Sequence, residues 1–251
     1  MVAALDDAVG SVVQKLKDNG QYDDTIIIFS NDNGGAVEDG ASNWPFRGSK
    51  GTMFEGGCRA VSFVHSPAYL AGVARTSEEL FHISDWYHTI QAMAGETVTR
   101  PADANSFLGH DQWSMIKDNT AGPRDTVICN IGRKGSAIRY KKNKIIDGDG
   151  GAYEGWADPE SGVSAYDNDP NEPDPVVYDL TTENGKIEKE WVVEADRPSV
   201  YTGMKARLRQ LKNEAHADDI HRDVDTIAGH PDNFGGAFGF AFCDVVDPIA
   251  S

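Results

Sequence analysis

The stretch TIIIFSNDNGG, residues 25–35, constrains the fold more than any other part of this 251-residue chain. Its continuous apolar run, residues 26–29, predicts a strand that is covered on both faces, as in a parallel sheet. Upstream, apolar residues recur at three- and four-residue spacing over residues 1–19, which predicts an amphipathic helix ending near Gly20. A helix followed by a buried strand predicts an α/β fold with a partial parallel-type sheet flanked by helices.

The second half of the chain has a different pattern of predicted secondary structure. Residues 125–131, 136–147 and 175–180 are predicted strands, separated by turns rich in Gly, Asp and Pro, and residues 201–215 are a predicted helix. Strands in succession followed by a helix predict a small antiparallel α+β subdomain. We therefore expect an α/β part over residues 1–110 and a C-terminal α+β subdomain with a tail over residues 111–251.

Charge and cysteine content narrow the class of partner and site. The net charge of −17 opposes nucleic acid and anionic membrane surfaces as generic partners. No segment reaches the roughly 18–20 consecutive apolar residues of a membrane helix, and the first residues lack the features of a secretory signal. Cys58, Cys129 and Cys243 lie far apart without CxxC spacing, which argues against a zinc cluster. Their odd number leaves at least one thiol unpaired or paired outside the chain.

Oxygen-bearing side chains follow the first strand directly. Ligands of parallel α/β sheets gather beyond the carboxyl ends of the strands, and Asp32 and Asn33 stand at such an end. Carboxylate and amide oxygens suit a hard cation such as calcium or magnesium. The alternative is an ordinary polar turn, since Asn, Asp and Gly are common turn residues.

The next block, NWPFRGSKGTMFEGGCRA over residues 43–60, combines cations and aromatic rings with glycines. Lys50 lies there on a glycine-bounded loop, 18 positions after Asp32. An ammonium close to a bound metal suits a tetrahedral oxyanion, whereas the alternative is an exposed loop lysine. Farther on, His82 and Asp85 are spaced to face each other on a helix, where we expect a surface hydrogen bond.

Three blocks together resemble the sulfatase family: DDTIIIFSNDNGG, NWPFRGSKGTMFEGGCRAVSFVHSP and HISDWYHTI. The likeness is greatest to the branch of arylsulfatase B, the N-acetylgalactosamine-4-sulfatase type. It is strong over residues 1–95 and weaker through the segments SAIRYKKNKII and VVYDLTTENGKIEKEW.

The resemblance implies an alkaline-phosphatase-like α/β fold and the hydrolysis of sulfate esters, either aryl sulfates or sulfated glycosaminoglycan sugars. By the same resemblance, Asp32 and Asn33 would bind Ca²⁺ and Lys50 would contact the sulfate. The family's nucleophile is a formylglycine made from the first residue of a Cys-x-Pro-x-Arg motif. The family also implies a lysosomal or secreted protein whose partner is a sulfated small molecule or glycan.

Parts of the family's site have no counterpart in this sequence. It contains no Cys-x-Pro-x-Arg motif, and Asp6 and Asp7 lie in the predicted helix instead of forming the family's paired aspartates after a strand. Calcium takes 6–8 oxygens, of which Asp32 and Asn33 supply at most about three. We therefore expect the C-terminal portion of a sulfatase, incomplete and inactive alone, whose partner is a missing N-terminal half of the same protein.

Other functions remain open at the level of sequence. A non-catalytic module could bind sulfated glycans through Trp44, Arg47 and Lys50, although the negative net charge opposes the approach of a polyanion. The chain could also be a degenerate pseudo-sulfatase. A related metal-dependent hydrolase acting on phosphate esters is disfavoured because the NWPFRGSKGT block is much more like sulfatases.

Overall fold

The computed structural model describes residues 2–72, 74–98, 109–151, 155–160, 164–165 and 171–217. The chain divides into two compact units, Met1–Leu208 and Arg209–Ser251. The first unit carries the sheets and both candidate loops, whereas residues 209–217 of the second belong to the last helix. Among the described residues, no helix combines the length and apolar character that crossing a membrane requires.

Helices and strands alternate in the first part of the chain, and strands dominate the second. The helices are α1 (Val2–Asp18), α2 (Glu55–Cys58), α3 (Pro67–Leu70), α4 (Asp85–Met93), α5 (Trp113–Asp118), α6 (Glu183–Lys186) and α7 (Pro198–Ala217). Short 3₁₀ turns occupy Tyr22–Asp24 and Val37–Asp39. The strands are β1 (Ile27–Ser30), β2 (Ser62–His65), β3 (Thr126–Ile131), β4 (Gly135–Tyr140), β5 (Asn143–Gly148), β6 (Trp156–Ala157), β7 (Ser164–Ala165) and β8 (Val176–Asp179).

Helix α1 confirms the amphipathic helix predicted for the first residues, but its apolar side chains are exposed. Gly20 follows the helix at a φ of +66°, a conformation that glycine adopts without a steric penalty. No residue of α1 is buried, and Val2 is 82% exposed, with Leu5 and Val12 exposed as well. The apolar stripe of α1 is therefore not covered by the described part of the chain.

Strands β1 and β2 form a two-stranded antiparallel sheet, in which Ile27 pairs with His65 and Ser30 with Ser62. The expectation of a parallel-type sheet is therefore wrong for these two strands. The connection between them contains only the turn at Val37–Asp39 and the four-residue helix α2, and it lacks the long crossover helix that joins parallel strands. Both strands are only partly covered, so the apolar run does not lie between two layers here.

The second sheet is four-stranded and antiparallel throughout, in the order β3-β4-β5-β8, as predicted for the C-terminal part. Its centre is fully buried at Ile138, Ile145 and Val177. Residues 136–147 were predicted as one strand, but they form the hairpin of β4 and β5, which turns at Lys141 with a φ of +52°. The predicted α/β class with an antiparallel C-terminal part is confirmed, and the boundary at residue 110 stays a prediction.

Candidate functional site

Asp32 and Asn33 lie on the loop that leaves β1, at the end of the strand where the sequence predicted ligands. Asp32 is exposed, and its Oδ1 accepts hydrogen bonds from the backbone N–H and the side-chain Nδ2 of Asn33, at 2.9 and 3.1 Å. Asn33 Nδ2 also donates to the carbonyl oxygen of Gly34, at 3.0 Å. These bonds orient the Asn33 amide through its nitrogen and leave its oxygen for another partner.

The loop of Lys50 lies against this loop. The backbone N–H of Lys50 donates to the carbonyl oxygen of Gly35, at 3.0 Å, while its side chain is exposed. The structure thus brings the two predicted elements of the site side by side.

Asn43 holds the two loops together, although no sequence motif marked it as part of the site. Its Oδ1 accepts from the N–H of Gly35 at 2.8 Å, and its Nδ2 donates to the carbonyls of Gly35 and Gly48 at 2.9 and 3.1 Å. One amide therefore satisfies backbone groups of both loops. The only sequence signal was an Asn placed between two glycine-rich stretches.

Glycine is required where the loops meet. A Cβ at Gly34 would lie 1.7 Å from the carbonyl oxygen of Gly56, far inside any allowed contact. The N–H of Gly34 also donates to the carbonyl of Gly57 at 2.9 Å. The helix α2 segment therefore packs backbone against backbone on the loop of Asp32.

Arg47 of the RGSKGT motif is buried, with 2% of its side chain exposed. It binds Glu172 in a two-pronged ion pair, with Nη1 to Oε1 at 2.7 Å and Nη2 to Oε2 at 3.1 Å. Nη1 also donates to the hydroxyl of Tyr178 at 2.8 Å, and the guanidinium lies 4.1 Å from the centre of the Phe54 ring. Arg47 therefore anchors the motif to the four-stranded sheet and is not a surface contact for a glycan.

A second buried charge cluster lies between helix α2 and the four-stranded sheet. Lys144 Nζ is 3.0 Å from Glu55 Oε1 and 2.8 Å from Glu188 Oε1, and all three side chains are buried. Burial acts to lower the pKa of Lys144, but the charges of Glu188 and Glu55 outweigh it and hold that pKa well above its ordinary value. Two carboxylates thus share one ammonium.

The two carboxylates of this cluster differ. Burial acts to raise the pKa of Glu55, but Lys144 and Arg139 hold it below its usual range. For Glu188, burial raises the pKa to about 7 despite the opposing charge of Lys144. Glu188 Oε2 also accepts the N–H of Glu55 at 2.6 Å, at the start of α2, so the cluster fixes this helix in place.

His82 and Asp85 do not form the expected surface pair. Asp85 is fully buried and is held by Arg124, whose Nε donates to Oδ2 at 2.8 Å. Its Oδ2 accepts the backbone N–H of His82 at 2.9 Å, whereas the His82 ring contacts Ser84 Oγ. Asp85 therefore organises the start of α4 and does not orient a catalytic histidine.

The donor atoms at the β1 loop suit a hard cation, but they are few. Asp32 and Asn33 offer a carboxylate and an amide oxygen, the ligand chemistry of calcium. Within the described ranges, no group of three or more His, Cys, Asp or Glu side chains could hold a metal ion. The described residues could therefore supply part of a calcium shell and not a complete one.

Residues 1–96 match the model of the family described as Sulfatase. This part of the chain is similar to sulfatases. Arylsulfatase J from Mus musculus is 38% identical over 181 residues, which are 64% of this chain and 29% of arylsulfatase J. The likeness to sulfatases predicted from the motifs is thus confirmed, while the arylsulfatase B branch stays a prediction.

Solved structures extend the likeness beyond residue 96. Ps i-CgsB in complex with k-i-k-neocarrahexaose superposes with a TM-score of 0.64 and 27% identity, over 84% of this chain and 42% of that one. The PsFucS1 sulfatase from Pseudoalteromonas sp. gives a TM-score of 0.57 and 26% identity, over 83% of this chain and 42% of that one. The sulfatase fold, alkaline-phosphatase-like in class, is confirmed, and the chain spans less than half the length of each of these relatives.

Proposed function

We propose that this chain supplies part of the site of a calcium-dependent sulfatase, in which Asp32 and Asn33 bind Ca²⁺ and Lys50 contacts the sulfate group. The observation that carries the proposal is the contact between the two loops, made by the N–H of Lys50 and the carbonyl of Gly35. The match of residues 1–96 to the sulfatase family supports it, because both loops lie in that range.

Each of these residues would have a distinct role in the hydrolysis of a sulfate ester. The calcium ion, when bound, supplies positive charge that polarises the sulfate oxygens. The Lys50 ammonium would offset negative charge on the sulfate and on the leaving oxygen. Asn43 would keep the two loops in register, since it bonds to backbone groups of both. Glu55, Lys144 and Glu188 would act only through the position of helix α2.

None of these residues supplies the nucleophile. The formylglycine expected in the family has no Cys-x-Pro-x-Arg precursor in these 251 residues, and neither does the sequence contain the paired aspartates of the calcium site. We propose that both come from another segment, such as an N-terminal half of the same protein, and that this chain alone is inactive. A sulfated small molecule or glycan as substrate, an arylsulfatase B-like branch and a lysosomal or secreted location belong to the same proposal.

The alternative of a glycan-binding module loses one of its three contacts. Trp44 is 48% exposed and Lys50 is exposed, as a binding surface needs. Arg47, however, is buried and engaged with Glu172, so its guanidinium is not presented to a ligand. We therefore favour the sulfatase site over a module that recognises glycans through this block.

Calcium titration followed by NMR tests the metal half of the proposal. Adding CaCl₂ to the purified chain should shift the backbone amide signals of residues 31–35, with an affinity weaker than about 1 mM because few oxygens are present. Asp32→Asn should weaken binding by about tenfold or more, since it removes the only carboxylate of the loop. Asp39→Asn is the matched control, because Asp39 is an exposed acid on the next turn. Equal binding by the Asp32→Asn variant would refute the assignment.

Inorganic sulfate tests the anion half. Sulfate should shift the amide signals around Lys50, and Lys50→Gln should remove this response. Lys15→Gln, which neutralises an exposed lysine of α1, should leave it unchanged. A sulfate response that survives Lys50→Gln, or one that Lys15→Gln also removes, would show that general surface charge is responsible.

A further inference from the structure

Glu188 has a backbone conformation that a glutamate does not favour. Its φ is +57°, in the left-handed region, and it follows Ile187, the residue that caps the end of helix α6. Glycine is the usual residue at this position after a helix, because it has no Cβ to clash there. As a turn residue Glu188 is therefore unfavourable, and the reason for a glutamate here lies in its side chain.

The side chain of Glu188 is fully buried and caps helix α2. Its Oε2 accepts the N–H of Glu55 at 2.6 Å, and its Oε1 lies 2.8 Å from Lys144 Nζ. Phe54, which precedes α2, makes no side-chain hydrogen bond to the helix, although the first N–H groups of a helix need partners. Glu188 therefore binds, from 133 positions away, an N–H group that a local cap could have satisfied.

Helix α2 connects this carboxylate to the candidate site. The helix has only four residues, so few internal hydrogen bonds hold it in place. Its Gly57 accepts the N–H of Gly34 at 2.9 Å, from the loop of Asp32. The N–H of Gly56 donates to the carbonyl of Arg47 at 2.7 Å, in the RGSKGT motif. A displacement of α2 would therefore reach both loops of the site.

The turn that presents Glu188 is held by several other contacts. The N–H of Glu188 donates to the carbonyl of Gly185 at 2.9 Å, and Trp156 Nε1 donates to the carbonyl of Ile187 at 2.8 Å. Arg47 Nη1 also donates to the carbonyl oxygen of Glu188, at 3.4 Å. Surroundings that fix a residue on several sides allow an unfavourable φ to persist.

We propose that Glu188 is a positioning residue of the candidate site, whose carboxylate holds helix α2 and, through it, the loop of Asp32 and Asn33. The competing interpretation is that Glu188 is an ordinary turn residue after α6, in which case glycine would suit its position better. The ligands of the loop rest on the function proposed above, whereas the link from Glu188 to Gly34 can be measured without any ligand.

Glu188→Gly separates the two interpretations, because it removes the unfavourable φ together with the carboxylate. In amide hydrogen exchange, the protection of the Glu55 and Gly34 N–H groups should fall by about tenfold or more, as expected when a hydrogen bond to a charged group is lost. The N–H of Ile145, in an inner strand of the four-stranded sheet, reports global unfolding and should lose less protection. Equal losses at Gly34 and Ile145, or no loss at Gly34, would overturn the proposal.

Lys141→Gly is the matched control for this experiment. Lys141 also has a positive φ, +52°, but its side chain is exposed at the turn between β4 and β5. Glycine at this position removes the same backbone penalty without removing a buried contact, so the protection of Gly34 should stay unchanged. A loss of protection at Gly34 in this variant as large as in Glu188→Gly would refute the specific role of Glu188.

The ionisation of Glu188 gives a readout on the unsubstituted chain. Burial raises the pKa of Glu188 to about 7 despite the opposing charge of Lys144, and the charge of Glu55 raises it further. The other charged or titratable groups around the cluster are Arg47, Arg59, Arg139, Tyr178, Cys58 and Cys129. The Gly34 amide signal should shift with pH with a midpoint of about 7, and Glu188→Gln should remove this shift. A Gly34 signal without the shift, or a shift that persists in Glu188→Gln, would contradict the link.

Calcium titration tests whether this link matters to the site. Glu188→Gly should weaken calcium binding by about tenfold, as loss of a residue that orients metal ligands does, whereas Lys141→Gly should bind as the unsubstituted chain. Equal calcium affinity of the two variants would refute the positioning role. If the unsubstituted chain binds no calcium, the function proposed above is refuted, and the exchange of the Gly34 N–H still decides whether Glu188 holds the loop.

Discussion

The anchoring of the RGSKGT motif by Arg47 makes a quantitative prediction. In Arg47→Met, the stem of the side chain is kept and the guanidinium is removed. Removing one partner of a buried ion pair costs about 3–5 kcal/mol in unfolding free energy. Because Glu172 is 17% exposed and can regain some hydration, we expect the lower end, about 3 kcal/mol.

Urea unfolding followed by tryptophan fluorescence measures this effect. A loss of about 3 kcal/mol should lower the midpoint by at least about 1 M for an ordinary slope. Arg47→Lys keeps the charge but not the two-pronged geometry, so it should fall between Arg47→Met and the unsubstituted chain.

Arg197→Met is the matched control for this experiment. Arg197 also pairs with a carboxylate, that of Asp179, but 44% of its side chain is exposed. Removing it should cost less than about 1 kcal/mol. If Arg47→Met costs no more than Arg197→Met, Arg47 is not an anchor and its assignment here is refuted.

Three further predictions address the loops, the charge cluster and activity. Gly34→Ala should lower the unfolding free energy, measured in urea, by at least about 2 kcal/mol, because the new Cβ would lie 1.7 Å from a backbone oxygen. Gly10→Ala in α1 is the control: no atom lies within 4 Å of the new Cβ, so the substitution should be neutral or stabilise by up to about 1 kcal/mol. The Glu188 pKa is raised from 4.5 to about 7, so the native state binds more protons in this window and unfolding free energy should fall as pH rises through it. Glu188→Gln should flatten that fall, and an unchanged pH profile would contradict the raised pKa. The purified chain with calcium should not hydrolyse an aryl sulfate, and turnover that disappears in Lys50→Ala would contradict the proposed inactivity.

The sequence predicted local elements better than their pairing. The periodicity of residues 1–19 predicted α1 to within two residues, because helix formation follows from local spacing. The direction of β2 relative to β1 depends on whether the connection between them contains a crossover helix. The connecting segment is rich in glycine and has no clear periodicity, so the sequence did not predict the antiparallel pairing. The hairpin at Lys141 was missed because neither Gly nor Asn occupies its positive-φ position.

The roles of side chains in the candidate site could be predicted only for residues that lie in a recognisable motif. Asp32 and Lys50 were identified from residue type and family resemblance, and the structure places their loops in contact. From the sequence, Arg47 was interpreted as a cation that could bind a ligand. It is buried because it pairs with Glu172, which lies 125 positions away in the chain, so no local pattern could predict its burial. The shared ammonium of Lys144 likewise joins residues from three distant segments, which no local pattern reveals.

If Asp32, Asn33 and Lys50 act as one site, the binding of calcium and the binding of sulfate are coupled, and measuring this coupling tests the proposed site most directly. Sulfate affinity should be measured from the Lys50 amide shift with and without calcium, and calcium affinity from the Asn33 amide shift with and without sulfate. We expect each ligand to tighten the binding of the other by the same factor, and we expect Asp32→Asn and Lys50→Gln each to abolish this coupling. Sulfate affinity that is identical with and without calcium would contradict it.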